Sequence, residues 1–257
     1  MNNYNSRFKN IFFHNFAFLI FIFAFLLLPS YADSFTIPEK LVYDLRWMGI
    51  KAGTASLEII SEEDTTKIIS QAHSVKFISL FYKVDDRIVS ILTKGTSRLP
   101  IGQSKRYRVK IREGKHRRDK EVIFDHDKRK ALFIDYRKNK KEEFRIPSSV
   151  FDPISGFYYL RTLELVVGDP IYITIFDSKK IWDVEVQVLR KEKITLPPAF
   201  EPIDTIVVKP LLKSEGIFFR KGDVYIWLTD DIKHIPVLVK LKVAIGHVTA
   251  TLIGGVF

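Results

Sequence analysis

Arg106, Arg108, Lys110 and Arg112 recur two residues apart and form the strongest charge signal in this chain of 257 residues. On a β-strand that spacing puts all four on one face, a positive row about 20 Å long suited to phosphate or carboxylate groups. Lys115, His116, Arg117, Arg118 and Lys120 extend the row, and Arg137, Lys138, Lys140 and Lys141 are expected at the other end of the next hairpin. Two blander roles compete with ligand contact: solvation, and protection of an edge strand. The aromatics Trp47, Phe77, Phe81, Tyr82, Phe157, Tyr158, Tyr159, Trp182 and Trp227 either fill the interior between a sheet and a helix or leave an apolar cavity for an acyl chain.

Catalytic patterns are weak beside this. The chain has no cysteine, which removes thiolate nucleophiles, disulfides, Fe–S clusters and cysteine-held zinc. The six histidines are scattered, and Asp125-His126-Asp127 is followed by Lys128, Arg129 and Lys130, which repel a cation, so a solvated turn is expected there. Asp85-Asp86 and Asp230-Asp231 resemble turn residues that bond nearby backbone. A two-carboxylate hydrolase needs its acids on facing elements about 5–9 Å apart. Ser155 falls at a helix start, where capping is the simplest role. No phosphate loop and no dinucleotide fingerprint occur. No metal, no cofactor and no nucleic acid are expected.

The start of the chain carries a targeting pattern. Residues 1–32 contain Arg7 and Lys9, an apolar stretch over Ile11–Leu28 and a Pro29-Ser30-Tyr31-Ala32 ending, with no acidic residue. A basic start, an apolar run and small residues at the cut are what a signal peptidase reads, here between Ala32 and Asp33. The retained alternative is an inner-membrane anchor, since the run is near the shortest that spans a bilayer. Either way residues 33–257 work outside the cytoplasm, in the periplasm or outer envelope. That remainder keeps 13 of the 21 Phe and 39 basic against 30 acidic side chains, so it is moderately apolar with a concentrated positive region.

The elements that would position these residues are mostly strands. Leu41, Tyr43, Leu45 and Trp47 alternate, and Ala55, Leu57 and Ile59 repeat the period beyond Gly49 and Gly53. Residues 68–81 read as a strand, or as a strand followed by a short helical turn. Ser104–Ile111 is the clearest amphipathic strand, with Tyr107, Val109 and Ile111 opposite the basic row; Lys120–Asp125 and Ala131–Tyr136 continue a meander. One helix of about 13 residues is expected after Asp152-Pro153, an N-cap and first-turn pair, carrying Ile154, Phe157, Tyr158, Arg161 and Leu165. Arg161 interrupts that apolar stripe, so it needs either a buried carboxylate or carbonyls, or a cavity that receives an anion. The fold class is mainly β: a single curved, largely antiparallel sheet or partly closed barrel with one central helix.

The segments Tyr43–Gly53, Leu80–Asp86, Leu99-Pro100, Phe151–Arg161, Val224–Asp231 with Ile235-Pro236-Val237, and Ile245–Val248, taken together in this order, are similar to an exported bacterial family catalogued as domain of unknown function 3108. The resemblance spans roughly residues 38–253 and implies an exported, β-rich sheet; it transfers no catalytic residue. Three functions remain open. The leading one is a noncatalytic envelope protein that binds an anionic lipid, lipopolysaccharide or another amphipathic anion through Arg106, Arg108, Lys110, Arg112, Trp47, Tyr82, Tyr158, Arg161 and Trp227. The others are a structural adaptor that meets an envelope protein, and a hydrolase of envelope glycan or lipid.

Overall fold

A computed structural model describes residues 37–197, 201–212, 223–243 and 245–257. The targeting segment lies outside the described residues. Ser34–Phe257 forms one compact unit. Its strands are β1 (Glu39–Trp47), β2 (Ile50–Glu62), β3 (Thr65–Ser74), β4 (Asp85–Thr93), β5 (Ser104–Glu113), β6 (His116–Asp125), β7 (Lys130–Asp135) and β8 (Lys140–Arg145). After a helical interlude come β9 (Ile171–Asp177), β10 (Lys180–Thr195), β11 (Pro202–Leu212), β12 (Val224–Thr229), β13 (Pro236–Lys242) and β14 (His247–Val256). The described residues also form two helices, α1 (Lys76–Ser79) and α2 (Pro153–Leu160).

All fourteen strands join one sheet in the order β8-β7-β6-β5-β4-β3-β2-β1-β14-β13-β12-β11-β10-β9. Every ladder is antiparallel, and β1 pairs with β14, so the first and last strands meet in mid-sheet. The mainly β class, the large antiparallel sheet and the minor helical part match the sequence expectation. Strands β8 and β9 share no ladder among the described residues. Phe144 of β8 does meet Phe176 of β9 at 5.7 Å between ring centroids, and the chain leading into α2 bonds to β9 through Phe151 N–H to the Thr174 carbonyl at 3.0 Å.

Burial follows the period-two pattern. In β5, Tyr107, Val109 and Ile111 are buried while the alternate residues face out, and Val122, Phe124, Ala131 and Phe133 of the next strands join them. A larger cluster gathers Ile59, Ile68 and Leu92 from one half of the sheet, Val186, Ile206 and Leu228 from the other, and Tyr158 and Leu160 of α2. α2 therefore covers apolar faces from both halves, which is why a single helix suffices.

Local chemistry explains the boundaries. Asp152 accepts the N–H groups of Ile154 at 3.1 Å and Ser155 at 3.0 Å, and Pro153 takes the first turn, as the sequence predicts. The helix is shorter than expected, at 8 residues. After Leu160 the chain tightens into three-residue turns, Thr162 N–H to the Tyr159 carbonyl and Leu163 N–H to the Leu160 carbonyl, so Arg161 caps the helix rather than continuing its stripe. Gly49, at φ +85°, makes the β1–β2 turn, whereas Gly53 serves close approach: a Cβ there would lie 2.3 Å from the His73 carbonyl oxygen of β3.

Candidate functional site

The basic row lies on β5 as predicted, but β5 is an interior strand between β4 and β6, so edge protection is not its role. That device occurs instead on the true edge β8, whose sequence is Lys-Lys-Glu-Glu-Phe-Arg. Much of the row is answered by acids of neighbouring strands. Arg106 Nε lies 3.3 Å from Glu121, Arg108 pairs with Asp119 and sits 4.2 Å above the Tyr136 ring, and Arg112 reaches Asp85 at 3.9 Å. Lys110 is exposed. Register causes this: Arg108 faces Glu121 and Lys110 faces Asp119, so two acids spaced two apart on β6 share the face of the basic row.

The uncompensated charge lies further along. In an antiparallel meander the β5–β6 and β7–β8 turns return to the same end of the sheet, so Arg137 and Lys138 come beside Arg117 and Arg118 rather than being carried away from them. There His116, Arg117, Arg118, Lys120, Asp135, Arg137 and Lys138 line a cleft of about 310 Å³. Five fixed cations face one carboxylate. Asp135 is already engaged, accepting the backbone N–H of Arg137 and of Lys138, both at 3.1 Å. The Arg137 guanidinium donates to the Arg117 carbonyl at 2.5 Å. Arg118 Nε donates to His116 Nε2 at 2.7 Å, which requires a neutral ring. Partial desolvation, then Arg118, Arg137 and Lys120, hold the His116 pKa below its ordinary value. Burial and Arg118 lower that of Lys120, while Asp177 behind it is raised by burial. The crowding of like charge marks a place where an added anion relieves repulsion.

The aromatics do not act as one group. Tyr158 and Trp227 belong to the core, at 0% and 9% exposure. Trp227 donates its indole N–H to Glu192 at 2.5 Å. Trp47, Phe77, Phe81 and Tyr82 stand out from the sheet instead of filling it. Trp47 ends β1, and Phe77, Phe81 and Tyr82 lie in the β3–β4 connection, all at the end of the sheet that carries the cleft. Trp47 bonds the Ile245 carbonyl at 2.8 Å and so ties the β1–β2 turn to the β13–β14 turn.

Arg161 has the structural partner that its burial requires. Its Nη1 and Nη2 donate to Glu39 Oε1 and Oε2 at 2.8 and 2.7 Å, its Nε to the His234 carbonyl at 3.0 Å and its Nη2 to the Lys233 carbonyl at 3.2 Å. Tyr158 Oη also donates to Glu39 Oε1, at 3.2 Å. Burial works against the Arg161 charge, but the Glu39 hydrogen bonds and charge outweigh it and raise the pKa. Sequence reasoning missed Glu39, because nothing in its local pattern marks a carboxylate at a strand start as buried.

The groups a hydrolase would use are assembled differently from a catalytic set. Ser104 and Ser90 donate to Asp152 Oδ2 at 2.7 and 2.6 Å, Ser104 and Ser155 share a hydrogen bond at 2.8 Å, and all four side chains are buried. His126 reaches the backbone carbonyl of Ser104 at 2.7 Å, not its hydroxyl, so it does not activate that oxygen. Asp85 and Asp86 open β4 and act across strands: Asp86 accepts the Arg112 N–H at 2.8 Å, and Asp85 lies 3.3 Å from His73. Asp231 bonds backbone as expected, accepting from Lys233 at 2.9 Å. No group of three potential metal ligands occurs among the described residues, and none of their helices is long and apolar enough to cross a membrane.

Residues 42–253 match the sequence model of a protein family of unknown function, DUF3108. The chain belongs to this family. The DUF3108 domain matches no curated protein. It is similar in fold to a crystal structure described as a beta-barrel-like protein of domain of unknown function DUF1849 from Brucella abortus, with a TM-score of 0.55 and 12% identity, covering 85% of this chain and 97% of the other. Four of the segments that suggested the family have structural explanations in the DUF3108 domain. Tyr43 Oη closes a long-range bond to the Pro236 carbonyl at 2.8 Å, Gly53 lets β3 approach, Asp152 caps α2, and Leu80–Lys83 builds the exposed turn beside the cleft before Asp85-Asp86 open β4.

Proposed function

We propose that this DUF3108 domain is a noncatalytic cell-envelope protein that binds an anionic amphipathic molecule, its acidic group held in the cleft between the β5–β6 and β7–β8 turns. The observation that carries this reading is the cleft composition: Arg117, Arg118, Lys120, Arg137 and Lys138 converge, and the single lining carboxylate already serves the backbone. Arginine forks suit phosphate and carboxylate oxygens, and the Tyr82 ring, packed over Gly114 at the cleft wall, suits the apolar part of the same molecule. The targeting pattern of residues 1–32 supports an envelope location, where lipid phosphates and lipopolysaccharide supply such anions. Titration calorimetry with dihexanoyl phosphatidylglycerol below its micelle concentration tests the reading. Binding should be lost in an Arg118→Gln, Arg137→Gln, Lys138→Gln variant and should not occur with dihexanoyl phosphatidylcholine. Equal binding of both lipids, or an unaffected variant, would sink it.

A further inference from the structure

The connection between β3 and β4 reads Lys76-Phe77-Ile78-Ser79-Leu80-Phe81-Tyr82-Lys83: an apolar, aromatic turn with a lysine at each end. It buries none of its α1 residues, and Phe77, Leu80 and Phe81 are 64%, 78% and 77% exposed. Such exposure normally belongs to a mobile loop, but this one is braced. Ser79 and Tyr82 donate backbone N–H groups to Val75 and Ile78 at 2.9 and 2.8 Å, the Ser74 and Ser79 hydroxyls share a bond at 2.7 Å, and the Val84 N–H donates to Ser74 Oγ at 2.9 Å. Phe77 and Phe81 lie edge to face at 5.7 Å. The Tyr82 ring covers Gly114, where a Cβ would come within 2.6 Å of it, and the Gly114 N–H bonds the Lys83 carbonyl at 2.8 Å. The aromatic turn is therefore locked to the β5–β6 turn that forms one wall of the cleft.

The rest of this end has the same character. Met48, Ile50 and Ile245, on the β1–β2 and β13–β14 turns, are each more than half exposed. The opposite end carries both signs, with Glu62, Glu63 and Asp64 exposed on the β2–β3 turn and Asp230 and Asp231 on the β12–β13 turn, but Lys128 and Arg129 exposed on the β6–β7 turn. Aromatic side chains flanked by lysines at one end of the sheet suit a flat anionic surface with an apolar layer beneath its charge. A water-soluble anion has no use for the aromatics, and a purely apolar partner has none for the cations.

We infer that this end of the sheet docks on the surface of an anionic lipid bilayer. Phe77, Leu80, Phe81 and Tyr82 enter the headgroup layer, while Lys76, Lys83 and the cleft cations meet lipid phosphates. The electrostatic part rests on the anionic reading of the cleft; the apolar part is independent of it.

The test is flotation with phosphatidylcholine vesicles containing about a third phosphatidylglycerol, against phosphatidylcholine alone. The protein should float with the anionic vesicles, and Phe77→Ser, Phe81→Ser should cut its partition by about tenfold or more while leaving binding of dihexanoyl phosphatidylglycerol intact. In a Phe81→Trp variant, tryptophan emission should shift to the blue on vesicle addition and be quenched by brominated acyl chains. Unchanged flotation of the double-serine variant, or absence of that shift, overturns the docking. Concentration-dependent dimerisation lost in Phe81→Ser, without vesicle binding, overturns it in favour of a second copy. Capture by vesicles through Phe81 without binding of the short-chain lipid upholds the docking and removes the cleft reading.

Discussion

Replacing Glu39 with glutamine should destabilise the fold severely, because it removes charge from a buried carboxylate without changing its shape. Glu39 is 1% exposed and Arg161 is fully buried. The carboxylate takes two guanidinium hydrogen bonds and one from Tyr158, and it links the start of β1 to the end of α2. The amide of a Glu39→Gln variant would keep one oxygen as acceptor but would turn an NH2 group toward the guanidinium and leave the arginine charge without a counterion. Breaking a buried pair from one side costs about 3–5 kcal/mol. With a urea dependence of about 2–3 kcal/mol per molar, the unfolding midpoint should fall by about 1–2.5 M. A Glu39→Leu, Arg161→Met double variant removes both charges and should recover most of the loss. Urea unfolding followed by far-ultraviolet circular dichroism measures all the variants. A Glu39→Gln midpoint within about 0.3 M of the parent, or a double variant no more stable than Glu39→Leu or Arg161→Met alone, would refute the assignment of this pair as the clasp between β1 and α2.

Three further outcomes follow from particular contacts. Asp152→Ala should cost more than the roughly 1 kcal/mol of an ordinary N-cap, because it also strands the buried Ser90 hydroxyl and takes an acceptor from Ser104; the urea midpoint reads this, and a loss below about 1 kcal/mol would contradict it. Gly53→Ala should destabilise by about 1–3 kcal/mol by pushing on the His73 carbonyl, whereas Gly168→Ala meets no neighbour within 4 Å and should cost only the strain of its positive φ. Burial, partly offset by the Arg112 N–H and reinforced by Glu113 and Asp85, raises the Asp86 pKa to about 6. The folded state then holds that proton more tightly than the unfolded chain, so the Asp86 contribution improves as pH falls through about 6 and levels off below the ordinary carboxylate value near 3.8. Asp86→Asn should raise the urea midpoint at pH 7 and lose that advantage toward pH 4; an advantage that does not change with pH would contradict the assignment.

How far the sequence reached depended on whether a feature is local. The alternation of Tyr107, Val109 and Ile111, the Asp152-Pro153 start of α2 and the Gly49 turn depend on near neighbours, and each occurs as read. Features that depend on strand register were out of reach. Arg106 and Arg108 look like free charge along the chain, and only the pairing of β5 with β6 shows Asp119 and Glu121 answering them. The same meander brings Arg137 to Arg117, which converts two separate basic runs into one cleft. Arg161 signalled the need for a partner through its place among apolar residues, but Glu39 lies 122 residues away and nothing nearby marks it. The exposed aromatics were misplaced for a related reason: period and composition do not distinguish a Phe inside a sheet from one on a turn at its end. The Lys76 and Lys83 flanks were the available signal, since two charges bracketing a short aromatic run are hard to bury.

Hydrogen exchange with and without an anionic lipid ligand tests the central claim most directly, because it reports where binding occurs as well as whether it does. With dihexanoyl phosphatidylglycerol, protection should rise over residues 114–120 and 135–140; with anionic vesicles it should extend to residues 76–84. Protection confined to α2 and the Glu39–Arg161 clasp, or no change anywhere with either form of lipid, would contradict the account.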